Sequence, residues 1–342
     1  MKTKALFSTL LLISSAGSLM LHSAHATSGN FTLANPTGLI TTTIPVTVNS
    51  TKLYLYSFQQ LPVLTVDDSK QLLGQYLSNE SVDKLVPSAD KTIRFVSPKD
   101  VNTSFEHNLV TGDLRFHRNF ARYLGDFQPK LPSTEEALKA SQTFLEENKL
   151  MPANPAELKI AHIGGLRASS LIDGKQAGPV IDKLITLNYS RVVNNLPVIG
   201  PGSKMIVDIG EGGEILSLTR HWRELVPEAR EINPRDTYSE DEAKRLAALQ
   251  ISKEFGKQAT FEIINVQQAY FDNNGRFLQP VYAFQTKVFL PDQQAQAFEY
   301  VSVIPVLRKQ LEPLNLNVLD ANALRQIKSG SFLPNTKTGK FE

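Results

Sequence analysis

The feature that most limits the fold of this chain is a helix start written twice, each time ahead of long runs that read as strands. In Pro132-Ser133-Thr134-Glu135-Glu136, Ser133 can cap the free amides of a first turn and Glu136, three residues on, can cap back. The two acids also meet the positive end of the helix dipole. Ala137, Leu138, Ser141, Phe144 and Leu145 follow at helical spacing, so one stripe is set to face a core. Ser239 stands 106 residues after Ser133 and opens the same design: Ser239-Glu240-Asp241-Glu242, a stripe of Ala243, Leu246, Ala247, Ile251 and Phe255, and Gly256 as the stop. Strand-like runs come after each helix. They are 158–166, 183–193, 204–209 and 214–225 in the first unit and 261–271, 277–289 and 297–306 in the second. Asn194-Asn195, Gly210-Glu211-Gly212-Gly213 and Asp272-Asn273-Asn274-Gly275 lie between runs and tolerate positive φ, as hairpin turns require. The expected fold class is therefore α+β: an N-terminal β-rich domain followed by two helix-plus-antiparallel-meander modules, written as an internal duplication.

The first 26 residues have a different character. Lys2 and Lys4 precede an apolar run from Ala5 to Leu21, and Ala24-His25-Ala26 has the small-x-small pattern of a cleavage site. This predicts a secretory signal peptide over residues 1–26, since the apolar run is shorter than the roughly 20 residues a membrane span needs. Removing Lys2 and Lys4 from 36 basic residues leaves 34 against 34 acidic ones, so the mature chain carries no basic excess for nucleic acid. No later apolar stretch approaches spanning length, so no membrane span is expected in the mature chain, which is read as exported, periplasmic or secreted. The chain has no cysteine, which excludes disulfides, thiolate nucleophiles and Cys-based metal sites.

The expected division is 27–130 as the β-rich domain, 131–232 and 233–325 as the two modules, and 326–342 as a flexible tail. In the N-terminal stretch, Thr41–Val48 and Lys52–Tyr56 are rich in β-branched and aromatic residues, and Ser104–Leu109 leads through Thr111-Gly112-Asp113 into Leu114–Arg118 as a hairpin. On its second arm Leu114, Phe116 and Arg118 share one face, and Arg115 and His117 the other. His117 is read as a strand residue facing solvent, because no second ligand type stands at a metal spacing beside it.

Catalytic signatures are missing or incomplete. Four histidines remain after the signal peptide (His107, His117, His162 and His221), too scattered to predict a zinc site. Gly200-Pro201-Gly202-Ser203 lacks the G-x-S-x-G elbow. Ser81-Val82-Asp83-Lys84 and Ser88-Ala89-Asp90-Lys91 fit S-x-x-K without partner motifs on strands. Asp272-Asn273-Asn274-Gly275 lacks the ligand spacing of a calcium loop and reads as a tight turn. Neither a metal, a cofactor nor a catalytic residue is expected. The one constellation that stands out is Arg220-His221-Trp222-Arg223-Glu224, where the lone tryptophan sits between two arginines, the composition of a binding hot spot. Alternation puts Trp222 with Leu216 and Leu218, and His221 and Arg223 with Ser217 and Thr219. The alternative reading is a tryptophan anchored under the helix between solvated charges. Tyr189 and Tyr282 are expected to pack against their helices.

The order of elements also resembles a known group. Asn195-Leu196-Pro197-Val198-Ile199-Gly200, then an apolar strand, then Asp208-Ile209-Gly210-Glu211-Gly212-Gly213 and a third strand, is similar to the PepSY and fungalysin/thermolysin propeptide group. The second unit resembles it more loosely through Gln279-Pro280-Val281-Tyr282-Ala283-Phe284, and the whole covers about residues 131–310. The resemblance implies small α+β modules outside the cytoplasm that inhibit, chaperone or modulate a peptidase. Nothing in the chain reads H-E-x-x-H, so any peptidase partner acts in trans. The expected function is an exported, non-enzymatic binding protein for a secreted or envelope peptidase, engaged through a sheet or its edge strand. Two alternatives stay open: an extracytoplasmic hydrolase with an inter-module site, with His221 and Glu224 the first residues to test, and a structural envelope component.

Overall fold

The computed structural model describes residues 52–77, 85–124, 126–169, 171–172, 175–176, 179–290 and 297–314. The expected signal peptide, the Thr41–Val48 strand and the tail all lie outside these residues. The N-terminal part contributes β1 (Tyr54–Ser57), α1 (Val66–Tyr76), β2 (Thr92–Val96), β3 (Ser104–Asn108), β4 (Leu114–His117) and the short α2 (Ala121–Leu124). Next come α3 (Thr134–Glu147), β5 (Leu158–Ala168), the two-residue strands β6 (Leu171–Ile172) and β7 (Lys175–Gln176), β8 (Ile181–Val193), β9 (Leu196–Ile199), β10 (Lys204–Ile209), β11 (Ile215–His221) and β12 (Arg230–Glu231). The chain continues with α4 (Glu240–Phe255), β13 (Thr260–Phe271), β14 (Phe277–Phe289) and β15 (Phe298–Pro305). No described helix is long and apolar enough to cross a membrane.

The expected fold class, a β-rich domain followed by two helix-plus-meander modules, is not the architecture. Thirteen strands form one mixed sheet in the order β12-β1-β14-β13-β9-β8-β10-β11-β4-β3-β2, with β15 added to β14 and β5 to β8. The N-terminal strands enter this sheet: β4 pairs with β11 from Ser217↔His117 to Arg220↔Leu114, and β1 pairs with β14 through Tyr56↔Leu278. The two expected units are joined by a parallel pairing of β9 with β13 at Val198↔Tyr270 and Ile199↔Phe271. Alternation tells which side chains face a core, but every one of these pairings joins residues far apart in sequence, and period-two patterning carries no information about the neighbouring strand.

The helices lie where burial demands. α1 and α3 share one core with the sheet, built from Leu73, Tyr76, Phe116, Leu145, Leu187 and Leu218 among others. The Tyr76 and Phe116 rings stack at 4.9 Å, and Tyr189 donates to Ser141 Oγ of α3 at 2.9 Å. α4 covers β14 and β15 through Ala243 and Ala247 against Tyr282, Phe284 and Ile304. Both expected helix starts form as capping boxes at Ser133/Glu136 and Ser239/Glu242, and Gly256 closes α4 at φ 96°. α1, by contrast, occupies a stretch expected to be strand and turn, although its own capping box at Thr65 and Asp68 is equally legible. Ser133→Ala and Ser239→Ala should each lower stability by about 1 kcal/mol in chemical denaturation.

The second cap also predicts an acid response. The Glu242 carboxylate accepts the Ser239 amide at 2.8 Å and an Arg308 N–H at 2.8 Å. These bonds, the backbone one foremost, pull its pKa down to about 2. The folded value is below the unfolded one, so the contribution is complete above the ordinary carboxylate range and is lost as pH falls toward 2. Helicity followed by circular dichroism should therefore decline over that window, and less steeply in Glu242→Gln; parallel acid limbs in the two proteins would contradict this.

Candidate functional site

The segment singled out from sequence spans the end of β11, and each of its residues is engaged. Trp222 is 2% exposed and packs into the core beneath α1 and α3. Arg220 donates to the carbonyls of Leu150 and Trp222, both at 3.2 Å, and burial lowers its pKa. His221 Nδ1 lies 3.1 Å from Asp113 Oδ1 in the β3–β4 turn. Glu224 accepts the Ala153 amide at 3.2 Å through its side chain and the Gln59 amide at 2.7 Å through its carbonyl. Arg223 departs from the expected alternation with Ser217 and Thr219. β11 ends at His221, and Arg223 turns toward the β13–β14 hairpin instead.

There it joins a buried polar joint whose other members are remote in sequence. Arg223 donates to Asp272 Oδ1 at 2.9 Å and to the Gly275 carbonyl at 2.6 Å. Asp272 is 1% exposed and also accepts Ser203 Oγ at 2.7 Å. Ser203 in turn accepts from Arg191 at 3.1 Å, and Arg191 donates to the Arg223 carbonyl at 2.7 Å. The Arg191 guanidinium is fully buried, lies 3.9 Å from the Trp222 ring centroid, and has Glu157 Oε2 as its ion-pair partner at 3.0 Å. Burial pushes the Arg191 pKa down and the Glu157 pKa up, with each partner opposing the other's shift. Phe58, just past β1, sits 3.9 Å from the Arg223 guanidinium. The joint thus ties β8, the β9–β10 turn, the end of β11, the β13–β14 turn and the stretch just past β1 beside the seam where β9 meets β13. Its chemistry is that of a fastener: the side-chain charges of Arg191, Glu157, Arg223 and Asp272 are spent on one another, while the buried Trp222 Nε1 has no hydrogen-bond partner.

Sequence reading reached Trp222 and Arg223 and missed Arg191, Ser203, Asp272, Glu157 and Phe58 as their partners. The only available signal was local: Gly200-Pro201-Gly202-Ser203 and Asp272-Asn273-Asn274-Gly275 are both turns rich in small or polar residues. Among the remaining histidines, His107 is buried against Ser69 Oγ at 2.8 Å, and His117 is half-buried and accepts from Arg115 at 2.9 Å rather than facing solvent freely. Among the described residues no three His, Asp or Glu side chains converge as a metal site.

A second feature lies beside the joint. β13 pairs along its length with β14, but on its outer side β9 meets it only at Tyr270 and Phe271. Among the described residues nothing pairs with that outer side from Thr260 to Ala269, and Ile264, where the register shifts, is 50% exposed. The Asp272 amide donates across this side to the Ile199 carbonyl at 2.9 Å. Backbone alternation then directs the amides and carbonyls of Tyr270, Gln268 and Val266 outward as well. Toward α4 this edge shows Phe261, Ile263 and Val266; toward the other face it shows Thr260, Glu262, Asn265 and Gln267, with Glu262 opposite Lys287.

No protein-family model matches the chain, and no curated protein matches it. Among solved structures, an uncharacterized protein from Eubacterium rectale ATCC 33656 aligns with a TM-score of 0.43 at 11% identity, over 76% of this chain and 85% of that one. The C-terminal domain of Bacillus megaterium YpeB aligns with a TM-score of 0.32 at 14% identity, over 71% of this chain and 99% of that one. Likeness at this level assigns no family.

Proposed function

We propose that the protein is a non-enzymatic binding protein that takes an extended segment of a protein partner by strand addition. The observation that carries this reading is the outer side of β13, where Thr260–Ala269 offers unpaired backbone groups among the described residues next to half-buried apolar side chains. A strand laid there satisfies backbone donors and acceptors while its side chains contact those of β13, the mode of recognition by sheet edges. The partner class comes from the resemblance of 195–200 and 208–213 to the propeptide group: an extracytoplasmic peptidase acting in trans. Export by the residue 1–26 signal peptide belongs to the same proposal.

The test is calorimetric titration of the full chain with secreted peptidases and with strand-forming peptides, each peptide paired with a version N-methylated at alternate residues. Binding that N-methylation abolishes is expected. The Gln268→Pro variant should lose it too, because the lost amide points outward and takes no bond from the β13–β14 ladder. Equal binding of methylated and unmethylated peptides, or no binding of any peptide or peptidase, overturns the reading.

A further inference from the structure

Strand β5 carries a bulge that gathers polar side chains onto one face. Its register with β8 shifts between Ile160 and His162: Lys159 opposes Ser190, Ile160 opposes Tyr189, His162 opposes Asn188 and Ile163 opposes Leu187. In a regular strand, residues three apart face opposite ways. The extra residue, Ala161, instead puts Lys159 and His162 on one face, while Ile160 and Ile163 both pack on the core that α1 and α3 share. On the face turned away from those helices, Lys159, Ser190 and Lys204 form one row across β5, β8 and β10, and His162, Asn188 and Ile206 form the next.

Two atoms of this patch lack what burial demands. Asn188 is 8% exposed, and its Nδ2 is buried without a hydrogen-bond partner; His162 Nε2, on the residue directly opposite, is likewise buried and unpartnered. Side chains opposed across two strands start roughly 5 Å apart at Cβ, so one small group can meet both. Buried polar groups in folded proteins are nearly always bonded, because leaving one unpaired forfeits its hydration with no return. The surroundings select an anion for that role. Lys159 is exposed beside the pair, Lys204 lies across Ser190 from it, and the two rows contain no acid. Asp208 in the following row accepts from Thr186 Oγ1 at 2.6 Å and from Ser217 Oγ, so both its oxygens are engaged. The His162 ring is only half-buried and its terminal torsion turns readily, which lets a small anion in without backbone movement.

We propose that Asn188 Nδ2 and the protonated His162 Nε2 are the paired donors of an oxyanion site, flanked by Lys159 and Lys204, that takes a carboxylate or phosphate group. Both bonds to such a group are charge-assisted, which makes them short and strong. The site belongs to the β5–β8 ladder and stands or falls independently of strand addition at β13. The test is an NMR titration of the full chain with inorganic phosphate and, separately, with acetate, at constant ionic strength and about pH 6, where an ordinary imidazole is mostly charged. The Asn188 side-chain amide and the His162 ring signals should shift together in one saturable step. Saturation by phosphate alone assigns a phosphate site, by acetate alone a carboxylate site, and by both a general oxyanion site. Asn188→Leu and His162→Phe should each weaken binding about tenfold or more, the worth of a hydrogen bond to a charged group. Lys159→Glu, at an exposed position, should weaken it too, whereas Lys253→Glu at an exposed position on α4 should not. No saturable shift with either anion, binding that survives Asn188→Leu, or an equal loss from Lys253→Glu would overturn the proposal. If Asn188→Leu does not fold, His162→Phe and Lys159→Glu decide it: unchanged affinity in both sinks the site.

Discussion

Arg191→Ala is expected to lower the unfolding free energy by about 3–5 kcal/mol, the range for removing one partner of a buried ion pair. The guanidinium is completely buried and does three things at once: it opposes Glu157, bonds the Arg223 carbonyl and Ser203, and stacks on Trp222. Its removal leaves Glu157 in a half-buried position with no counter-charge and opens space against the tryptophan ring. Arg191→Met, which refills the space without the charge, should recover part of the loss; pairing it with Glu157→Gln should recover more, since no unpaired charge is then left behind. Urea denaturation of the four proteins reads this directly. A loss below about 1 kcal/mol for Arg191→Ala would mean that the joint is not a fastener.

Gly202→Ala is expected to be almost as damaging, for a steric reason. A Cβ at this position would stand 2.3 Å from Asp272 Oδ2 and 2.4 Å from its Cγ. The carboxylate cannot retreat, because Ser203, Arg223 and the Asn274 amide all hold it. Overpacking of this kind costs about 1–3 kcal/mol, and here the held carboxylate puts the expectation at the upper end. The clash and the carboxylate are the same object, so the effects should not add. Asp272→Ala alone should be strongly destabilising by taking the ion-pair partner from the half-buried Arg223, while Gly202→Ala on top of it should cost only a few tenths of a kcal/mol. Additive losses in this cycle would locate the damage somewhere other than the Gly202–Asp272 contact.

These two sites also show where legibility in the sequence stopped. The helices at Ser133 and Ser239 were readable because capping is a contact between residues three apart, and the long strands because alternation repeats every two residues. α1 was equally marked by Thr65 and Asp68, and was lost among neighbouring strand-like residues. Trp222 was readable as the one conspicuous side chain of its strand; it is buried under the helices, but the arginines beside it bond backbone carbonyls rather than standing free in solvent. Its partner Arg191 was not readable: an arginine near the end of β8 looks like any strand residue facing water. Asp272 looked like the first residue of a tight turn. It is one, with Asn274 at φ 64°, but the turn also buries a charge that only Arg223 and Ser203, from distant segments, make tolerable.

What the sequence alone determined is thus local: the caps, the strand runs, the positive-φ turns at Asn194-Asn195 and Asn274, and the position of a tryptophan at the end of a strand. What only the tertiary structure decided is which strands are neighbours. It merged an expected N-terminal domain and two expected modules into one sheet, made Arg223 a bridge between distant turns, and left the outer side of β13 from Thr260 to Ala269 unpaired among the described residues. The physical reason is the range of the forces that write each level. Capping and alternation are contacts within a few residues, so their signals sit side by side in the sequence. Strand pairing is made by backbone groups that every residue carries, and its choice among partners depends on the packing of the whole chain.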